Sequence, residues 1–502
     1  MSTTQPVKIL SQPGIKRDGT RLEGEYYIDG QWTRWQRGLP RKMGGYKALV
    51  TNLPELVRGM DSYSKDGIQY IHLGAQNSLS QYLINNDGIA VAVHDRTPVS
   101  LSGDPNTLWQ FEHFYDSVAA KTRIIGHAPA NLQIDNSTPS TIWLGDVDGT
   151  GALVDSTLPT VSGGIVALGP YLMTFGSNGQ IGWSAPNNPS SLASSAFVTP
   201  QKVIKGLPLR SSSTGPAGIF WSLDSIIRGT WVGGTTVWDF DTLTAGISVL
   251  SSQGIIEYDG VFYWLGVDRF LMFNGVVREI PNQMNINWFF DHLNINQRQK
   301  VFAYKVPRFG EIWWCFPYGE AEECTHAIIY NVRENTWYDT IFPVCGRSCG
   351  IYAKVRNKPL MTCTLQIGGQ YTLWQHETGN DKVLGTDVEP IPAFFETAEI
   401  SMLNTQSPQD RSLRIAHLEP DFIQSGDLKL TINGRNNAKS NVRSSSSFSI
   451  KEVATTPSEE IVDLKQVRRL MSFKFSSNVQ GGDFQMGETY AHIGPADARR
   501  KS

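Results

Sequence analysis

Short apolar segments separated by tight turns run through most of the chain. Residues 68–74, 81–85 and 89–93 are apolar segments of this kind, and an Asn-Asp-Gly turn at 86–88 separates the last two. Asn-Gly and Asp-Gly favour tight hairpins because the central residues of a type I′ turn need positive φ. The pattern therefore predicts short antiparallel strands joined as up-and-down meanders.

The same pattern recurs along the middle of the chain. It is clear in residues 164–183 and again in 255–275, where Asp259-Gly260 and Asn274-Gly275 supply the turns. About six such units fit between residues 60 and 390, and four-stranded units at a spacing of about 40–50 residues are typical of β-propeller blades. A β-sandwich or a stacked array of sheets would give a similar string, but the pattern favours a β-propeller-like region.

Helical periodicity is scarce. The best candidate is residues 281–293, where Met284 and Trp288 would share one face. Because this segment lies between two groups of strands, we expect it to be a connector packed on a sheet.

The strands become longer after Pro390 and Pro392. Leu428, Leu430 and Ile432 alternate with polar residues, which is typical of an antiparallel sheet with one buried face. We therefore expect a mainly β chain in which repeated meanders are followed by a C-terminal antiparallel β-sandwich or platform.

Three regions follow from these patterns. Residues 1–59 are expected to form an N-terminal arm, flexible over about the first 20 residues, and first strands that pack with the platform. Residues 60–390 are expected to form the propeller-like region. Residues 391–502 form the platform, and its tail from 496 onward is expected to be frayed.

Composition narrows the function classes. The formal net charge is −3 and charged residues make up 18% of the chain, so there is no basic excess for gripping nucleic acid phosphates. No run is long and apolar enough to predict a membrane span, and the first residues do not resemble a secretory signal. The five Cys residues all lie between Cys315 and Cys363, and this odd number predicts reduced thiols.

Motifs that could carry chemistry are isolated. Residues 346–350 read Gly-Arg-Ser-Cys-Gly, but a strand is predicted after them where a nucleophile elbow needs a helix. Residues 146–151 read Asp-Val-Asp-Gly-Thr-Gly, yet Thr157 stands where a calcium loop needs Glu. Both are therefore interpreted as turns.

Cysteines and carboxylates give no stronger signal. The spacing of Cys345 and Cys349, with Cys315, Cys324 and His326 nearby, matches no common zinc pattern. Carboxylate pairs such as Glu322-Glu323, or Asp239 with Asp241, could flank a glycosidic bond, but surface carboxylates are the simpler interpretation. No catalytic, metal or cofactor site is predicted, and the chain is not expected to be an enzyme.

Consecutive aromatic residues are more informative. Trp264 follows Tyr263, Trp313 precedes Trp314, and Trp337 precedes Tyr338. Neighbouring residues in a strand point to opposite faces of the sheet, so each pair needs two covering surfaces. Trp264, Trp313, Trp314 and Trp337 are therefore candidate packing or interface residues, covered by a neighbouring blade or by another subunit.

One family resemblance is carried by segments spread along the chain, namely residues 26–29, 39–45, 109–120, 262–275, 296–317, 327–331, Trp337, 467–475, Gly487 and 490–493. These segments resemble the tail hub or nozzle proteins of short-tailed bacteriophages, also called packaged-DNA stabilisation or head-completion proteins. The resemblance implies a propeller with a β-rich platform formed near the termini, and the unmatched residues 125–240 are expected to hold an insertion or a fibre dock. It also implies a homo-hexameric ring below the portal-bound adaptor, with a lumen that holds and then releases DNA.

The expected function is therefore that of a structural subunit of a phage tail ring in the virion. Its expected partners are copies of itself, the portal-adaptor ring protein, tail fibres or tailspikes, and double-stranded DNA that passes through without sequence-specific binding. The alternative is a β-propeller that binds a receptor or a glycan.

Overall fold

Six short strands precede the repeated sheets. The computed structural model describes residues 4–9, 11–23, 25–130, 138–210, 215–402, 411–445, 447–456 and 458–496. The six strands are β1 (Gln5–Lys8), β2 (Gln12–Ile15), β3 (Tyr26–Tyr27), β4 (Asp29–Gln31), β5 (Thr33–Gln36) and β6 (Leu39–Lys42). The first 20 residues thus contain two strands, which corrects the expectation of a flexible arm.

Seven sheets, here named blades A to G, follow in chain order. Blades A to F are antiparallel meanders of four consecutive strands each. A single further strand, β7 (Tyr46–Leu53), precedes blade A in the chain. Blade A is β8 (Val57–Lys65), β9 (Ile68–Ala75), β10 (Leu79–Ile84) and β11 (Ala90–Asp95); blade B is β12 (Gln110–Asp116), β13 (Lys121–His127), β14 (Ile142–Asp146) and β15 (Val154–Asp155). Blade C is β16 (Gly164–Leu168), β17 (Tyr171–Phe175), β18 (Gln180–Ala185) and β19 (Asn188–Phe197); blade D is β20 (Val203–Pro208), β21 (Ala217–Ser222), β22 (Ser225–Trp231) and β23 (Trp238–Ala245).

The remaining blades continue the series. Blade E is β24 (Ile256–Tyr258), β25 (Val261–Leu265), β26 (Phe270–Phe273) and β27 (Val277–Glu279); blade F is β28 (Phe302–Val306), β29 (Glu311–Phe316), β30 (His326–Asn331) and β31 (Thr336–Ile341). Blade G has β32 (Arg347–Ala353), β33 (Lys358–Cys363), β34 (Tyr371–His376), β35 (Asp381–Leu384) and β36 (Asp387–Pro390). Its fourth strand is β7, which pairs antiparallel with β34 and parallel with β35.

The hairpin turns explain why these strands form. Tyr258 pairs with Val261, and the two residues between them, Asp259 and Gly260, have φ of 50° and 81°. This is the geometry that a tight type I′ hairpin requires. At the next turn Phe273 pairs with Val277, so the loop has one residue more than the predicted two-residue turn.

The blades form a closed ring. The first strand of blade G contacts the first strand of blade A, and each neighbouring pair of blades shares a hydrophobic cluster. Leu73 and Leu360 lie in the cluster between blades A and G, and Trp221 and Trp264 lie in the one between D and E. The repeated meanders are thus arranged as a seven-bladed propeller, one blade more than the sequence indicated.

A short helix connects blades E and F. Helix α1 (Ile286–His292) lies inside the segment predicted to be helical, and Met284 and Phe289 pack in the cluster that blades E and F share. One 3-10 helix, Ser252–Gly254, precedes blade E, and another, Ile295–Lys300, lies between α1 and blade F. The prediction of a helical connector packed on a sheet is confirmed.

The remaining strands form the platform. They are β37 (Ala393–Glu396), β38 (Leu413–Glu419), β39 (Phe422–Ser425), β40 (Leu428–Arg435), β41 (Arg443–Ser444), β42 (Phe448–Ile450), β43 (Val462–Arg468), β44 (Leu470–Ser477), β45 (Asp483–Met486) and β46 (Tyr490–Pro495). They build three sheets, which N-terminal strands complete: β1 pairs with β46, β4 with β37, and β6 with β45. Both ends of the chain therefore contribute to one platform.

One boundary and one segment expected from the sequence differ from these strands. The limit between residues 59 and 60 falls inside β8, and β7 belongs to blade G. The possible insertion within 125–240 consists, in its described residues, of ordinary strands of blades B, C and D. Most of the frayed tail expected from 496 onward lies outside the described residues.

Candidate functional site

A buried ion network joins the platform to blade F. Arg34 on β5 lies 2.9 Å from Glu311 on β29, measured from Nε to Oε1. Its guanidinium also donates to both oxygens of Glu377, at 2.9 and 2.5 Å. The Arg34 and Glu311 side chains are 1% and 0% exposed, so this contact is sealed inside the fold.

Other donors complete the shell around Glu311. Tyr338 donates a hydrogen bond of 2.6 Å to Oε1, and the indole N–H of Trp313 donates one of 2.9 Å to Oε2. The ring of Phe309 lies 3.8 Å from the Arg34 guanidinium carbon. Burial raises the pKa of Glu311 and Arg34 opposes that rise. Removing one member of a buried ion pair leaves the other charge buried without a partner, and this destabilises the folded state strongly.

A second network holds the N-terminal segment against the propeller. Arg17 pairs with Asp29 at 2.7 Å and with the buried Asp339 of β31 at 2.9 Å. The next residue, Asp18, accepts hydrogen bonds from the backbone N–H groups of Asn287 and Trp288. Carboxylates at a helix N-terminus satisfy its free N–H groups, so Asp18 caps α1 from a distant part of the chain.

The four predicted tryptophans are all buried within this single chain. Trp313 packs in the cluster shared with the platform, whereas Trp314 packs in the cluster between blades E and F. Trp264 faces blade D, and Trp337 packs beside Trp314 with ring centroids 6.1 Å apart. Each is at most 2% exposed, so packing inside the chain covers them and leaves almost no surface for another subunit.

The surface open to partners is instead found at the outer blade strands. The outer strands β11, β15, β19, β23 and β27 are largely exposed, whereas β31 is buried beneath β2 and β4. Val91 and Val93 on β11 are 53% and 54% exposed, and Phe197 on β19 is 66% exposed. Open strand edges with apolar side chains are templates for pairing with other chains. The sequence did not identify these edges, because a half-exposed apolar strand and a buried apolar strand have similar residue patterns.

The innermost strands of the propeller carry charges of both signs. Lys305 on β28 lies 3.3 Å from the carboxylate of Glu257 on β24, and Glu112 on β12 interacts with Lys205 on β20. Burial raises the pKa of Glu112 to about 7. These charges are compensated within the chain, so they do not form a basic surface.

The isolated motifs are structural. Residues 347–350 begin strand β32, so a strand follows Gly346 and no nucleophile elbow forms. Asp146 ends β14, is followed by a turn, and pairs with Lys121 at 2.6 Å. Glu323 binds Arg58 at 2.7 Å and Lys300 at 2.9 Å. These carboxylates are engaged in ion pairs rather than aimed into a cleft.

The cysteines differ from the sequence expectation in one respect. Cys345 and Cys363 form a disulfide, whereas Cys315, Cys324 and Cys349 are free and buried. The prediction of five reduced thiols is therefore wrong for two of them. Cys363 pairs across the β32–β33 hairpin with Arg347, which comes two residues after Cys345. The odd number of cysteines in the chain cannot reveal that these two lie close together.

No helix in the described ranges has the length and apolar character that crossing a membrane requires.

Comparisons with known proteins found similar solved structures but no matching family. No protein-family model and no curated protein matches the chain. Among solved structures, it is similar to a chain in "Crystal Structure of Mitotic Checkpoint Complex", with a TM-score of 0.38, 9% identity, and coverage of 75% of this chain and 96% of that one. It is also similar to Raptor of Chaetomium thermophilum, with a TM-score of 0.41, 8% identity, and coverage of 67% of this chain and 29% of that one.

Proposed function

We propose that this protein is a structural subunit of a phage tail nozzle or hub ring. The observation that carries the proposal is the joint platform: strands from both ends of the chain pair in the same sheets and are tied to blade F by buried ion pairs. A propeller with a β-rich platform near the termini is what the resemblance to tail nozzle proteins implies.

Rigidity supports this role. A ring subunit must keep its shape under the load of packaged DNA, and both ion networks connect the platform to the propeller. The helix cap from Asp18 adds a third connection. The platform and the propeller are therefore joined at three places.

The charge pattern supports loose contact with DNA. The chain has a slight acidic excess, with a formal net charge of −3. A surface that lets DNA slide must not neutralise many phosphates, since each such contact strengthens binding. In the proposed ring, DNA passes through a lumen enclosed by several subunits, and the portal-adaptor ring and tail fibres are its neighbours in the virion.

Mass in solution combined with electron microscopy tests the proposal. The purified protein, alone or mixed with portal and adaptor proteins, should form a ring, which we expect to be sixfold. A protein that remains monomeric under both conditions contradicts the proposal. If such a monomer also binds a component of a glycan array, the receptor- or glycan-binding alternative replaces it.

A further inference from the structure

Three side chains with metal-ligating atoms meet on one face of the sheet that contains both termini. His417 and Glu419 lie on β38, and His492 lies on the neighbouring strand β46. Their ligand atoms all lie within 4.8 Å of one another. This is the only such group among the residues that the structure describes.

A bulge in β38 creates this arrangement. Leu413 and Ile415 face the core, and regular alternation would place His417 there as well. The register of β38 shifts between Ile415 and Leu418 opposite β46, so Leu418 takes the core position. An extra residue re-aims the following side chains, and it turns His417 and Glu419 to the outer face together.

The three side chains are already in contact. The rings of His417 and His492 stack with centroids 4.0 Å apart, and His492 Nε2 lies 2.6 Å from Glu419 Oε1. The His492 side chain is 19% exposed and that of Glu419 is 51% exposed. The donors are therefore held by the sheet but remain accessible to an ion from solvent.

The donor set selects the kind of ion. Two imidazoles and one carboxylate suit zinc and similar transition metals, which such sites bind with a water in the fourth position. Calcium and magnesium prefer oxygen ligands, and only one of the three groups supplies oxygen. At zinc–ligand distances of about 2.0–2.2 Å, tetrahedral donors lie roughly 3.3 Å apart, so binding requires the three side chains to rotate from their present positions, in which the ligand atoms lie within 4.8 Å of one another.

We propose that His417, Glu419 and His492 form a binding site for a divalent transition-metal ion of the zinc type. The ion would join β46, which holds the N-terminal strand β1, to β38. Since a ligand that binds only the folded state stabilises it, the ion would strengthen the sheet in which both ends of the chain meet. This inference is independent of the proposed role in a tail ring.

Zinc titration of the metal-free protein tests the site. We expect one zinc ion per chain in isothermal titration calorimetry, and a visible absorption spectrum of tetrahedral type when cobalt replaces zinc. His417→Ala and His492→Ala should each weaken binding at least about tenfold, because even changes to residues behind metal ligands cost that much. Glu419→Gln should weaken it as well.

His94→Ala is the matched control. His94 is half-buried on β11 and belongs to no ligand cluster among the described residues, so this variant should bind zinc like the wild type. Zinc should also raise the melting temperature of the wild type and of His94→Ala, but not that of His417→Ala. Absence of saturable binding at one equivalent, or unchanged affinity in both histidine variants of the site, overturns the proposal.

Discussion

Arg34 and Glu311 are 277 residues apart in sequence, yet the guanidinium of one and the carboxylate of the other are in direct contact. Arg34 comes from the N-terminal strands of the platform, and Glu311 begins the second strand of blade F. Because both are buried, neither can exchange its partner for water without opening the junction. The pair therefore links the stability of the platform to its contact with blade F.

Replacing Arg34 should destabilise the protein strongly. Arg34→Ala leaves the buried carboxylate of Glu311 without its counter-charge, which typically costs about 3–5 kcal/mol. Urea unfolding monitored by tryptophan fluorescence measures the loss. Arg228→Ala is the control, because Arg228 and Asp241 form an exposed ion pair and such pairs contribute about 0–1 kcal/mol. Equal losses in the two variants would contradict the importance of the junction.

Trp313 and Trp314 should each be essential for stability although they lie in different clusters. Removing a buried Trp side chain costs about 3–5 kcal/mol, and we expect losses of this size for Trp313→Ala and Trp314→Ala separately. The double variant should fail to fold or to assemble. Val118→Ala, at a side chain that is 79% exposed, should change stability by at most about 0.5 kcal/mol. Normal assembly of the double variant would show that neither ring is needed.

Local patterns predicted the blades well because each meander is built from neighbouring residues. The alternation that places Trp313 and Trp314 on opposite faces needs only a period of two. Which surface covers each ring depends on the order of blades around the propeller. The sequence alone therefore leaves a neighbouring blade and a neighbouring subunit as alternatives.

Long-range pairings were not predictable in this way. Strand β7 completes blade G because Tyr46 pairs with His376, and no turn signal connects such distant residues. The platform depends on similar pairings, such as that of Val7 with Ala491. The cluster around His417 arises from a bulge, and a one-residue change of register moves a side chain to the other face of a sheet.

The ring proposal predicts that an open blade edge contributes to the subunit interface. Strand β11 presents Val91 and Val93 to solvent, and a second copy of the chain would cover them. Charged side chains on an edge strand block pairing, so Val91→Lys with Val93→Lys should lower the assembled mass measured by light scattering. The monomer should keep its stability within about 1 kcal/mol, since both positions are exposed.

A lysine at another exposed valine controls for added charge. Val453 is 70% exposed and lies outside the propeller blades, so Val453→Lys should assemble like the wild type. If the β11 variant assembles to the same mass as Val453→Lys, this edge is not part of the interface.

His127 should make the protein sensitive to acid. Its side chain is fully buried, its Nε2 lies 3.0 Å from the carbonyl oxygen of Val161, and burial lowers its pKa to about 4. An unfolded chain has a histidine pKa of about 6.5, so the folded state binds the proton less readily. The contribution of neutral, buried His127 to stability is therefore complete above pH 6.5. It is lost as the pH falls towards 4, and the free energy of unfolding then decreases by at most roughly 3 kcal/mol.

The variant His127→Gln tests this dependence. Glutamine can donate to the Val161 carbonyl and does not take up a proton in this range, so the free energy of unfolding should fall less between pH 7 and pH 4 than in the wild type. Thr107→Ser changes another buried residue, one without a titrating group. It should change the free energy of unfolding by the same amount at pH 7 and at pH 4. Urea unfolding at the two pH values measures the difference. An equal acid loss in His127→Gln and the wild type would mean that His127 does not take up the proton as the fold weakens.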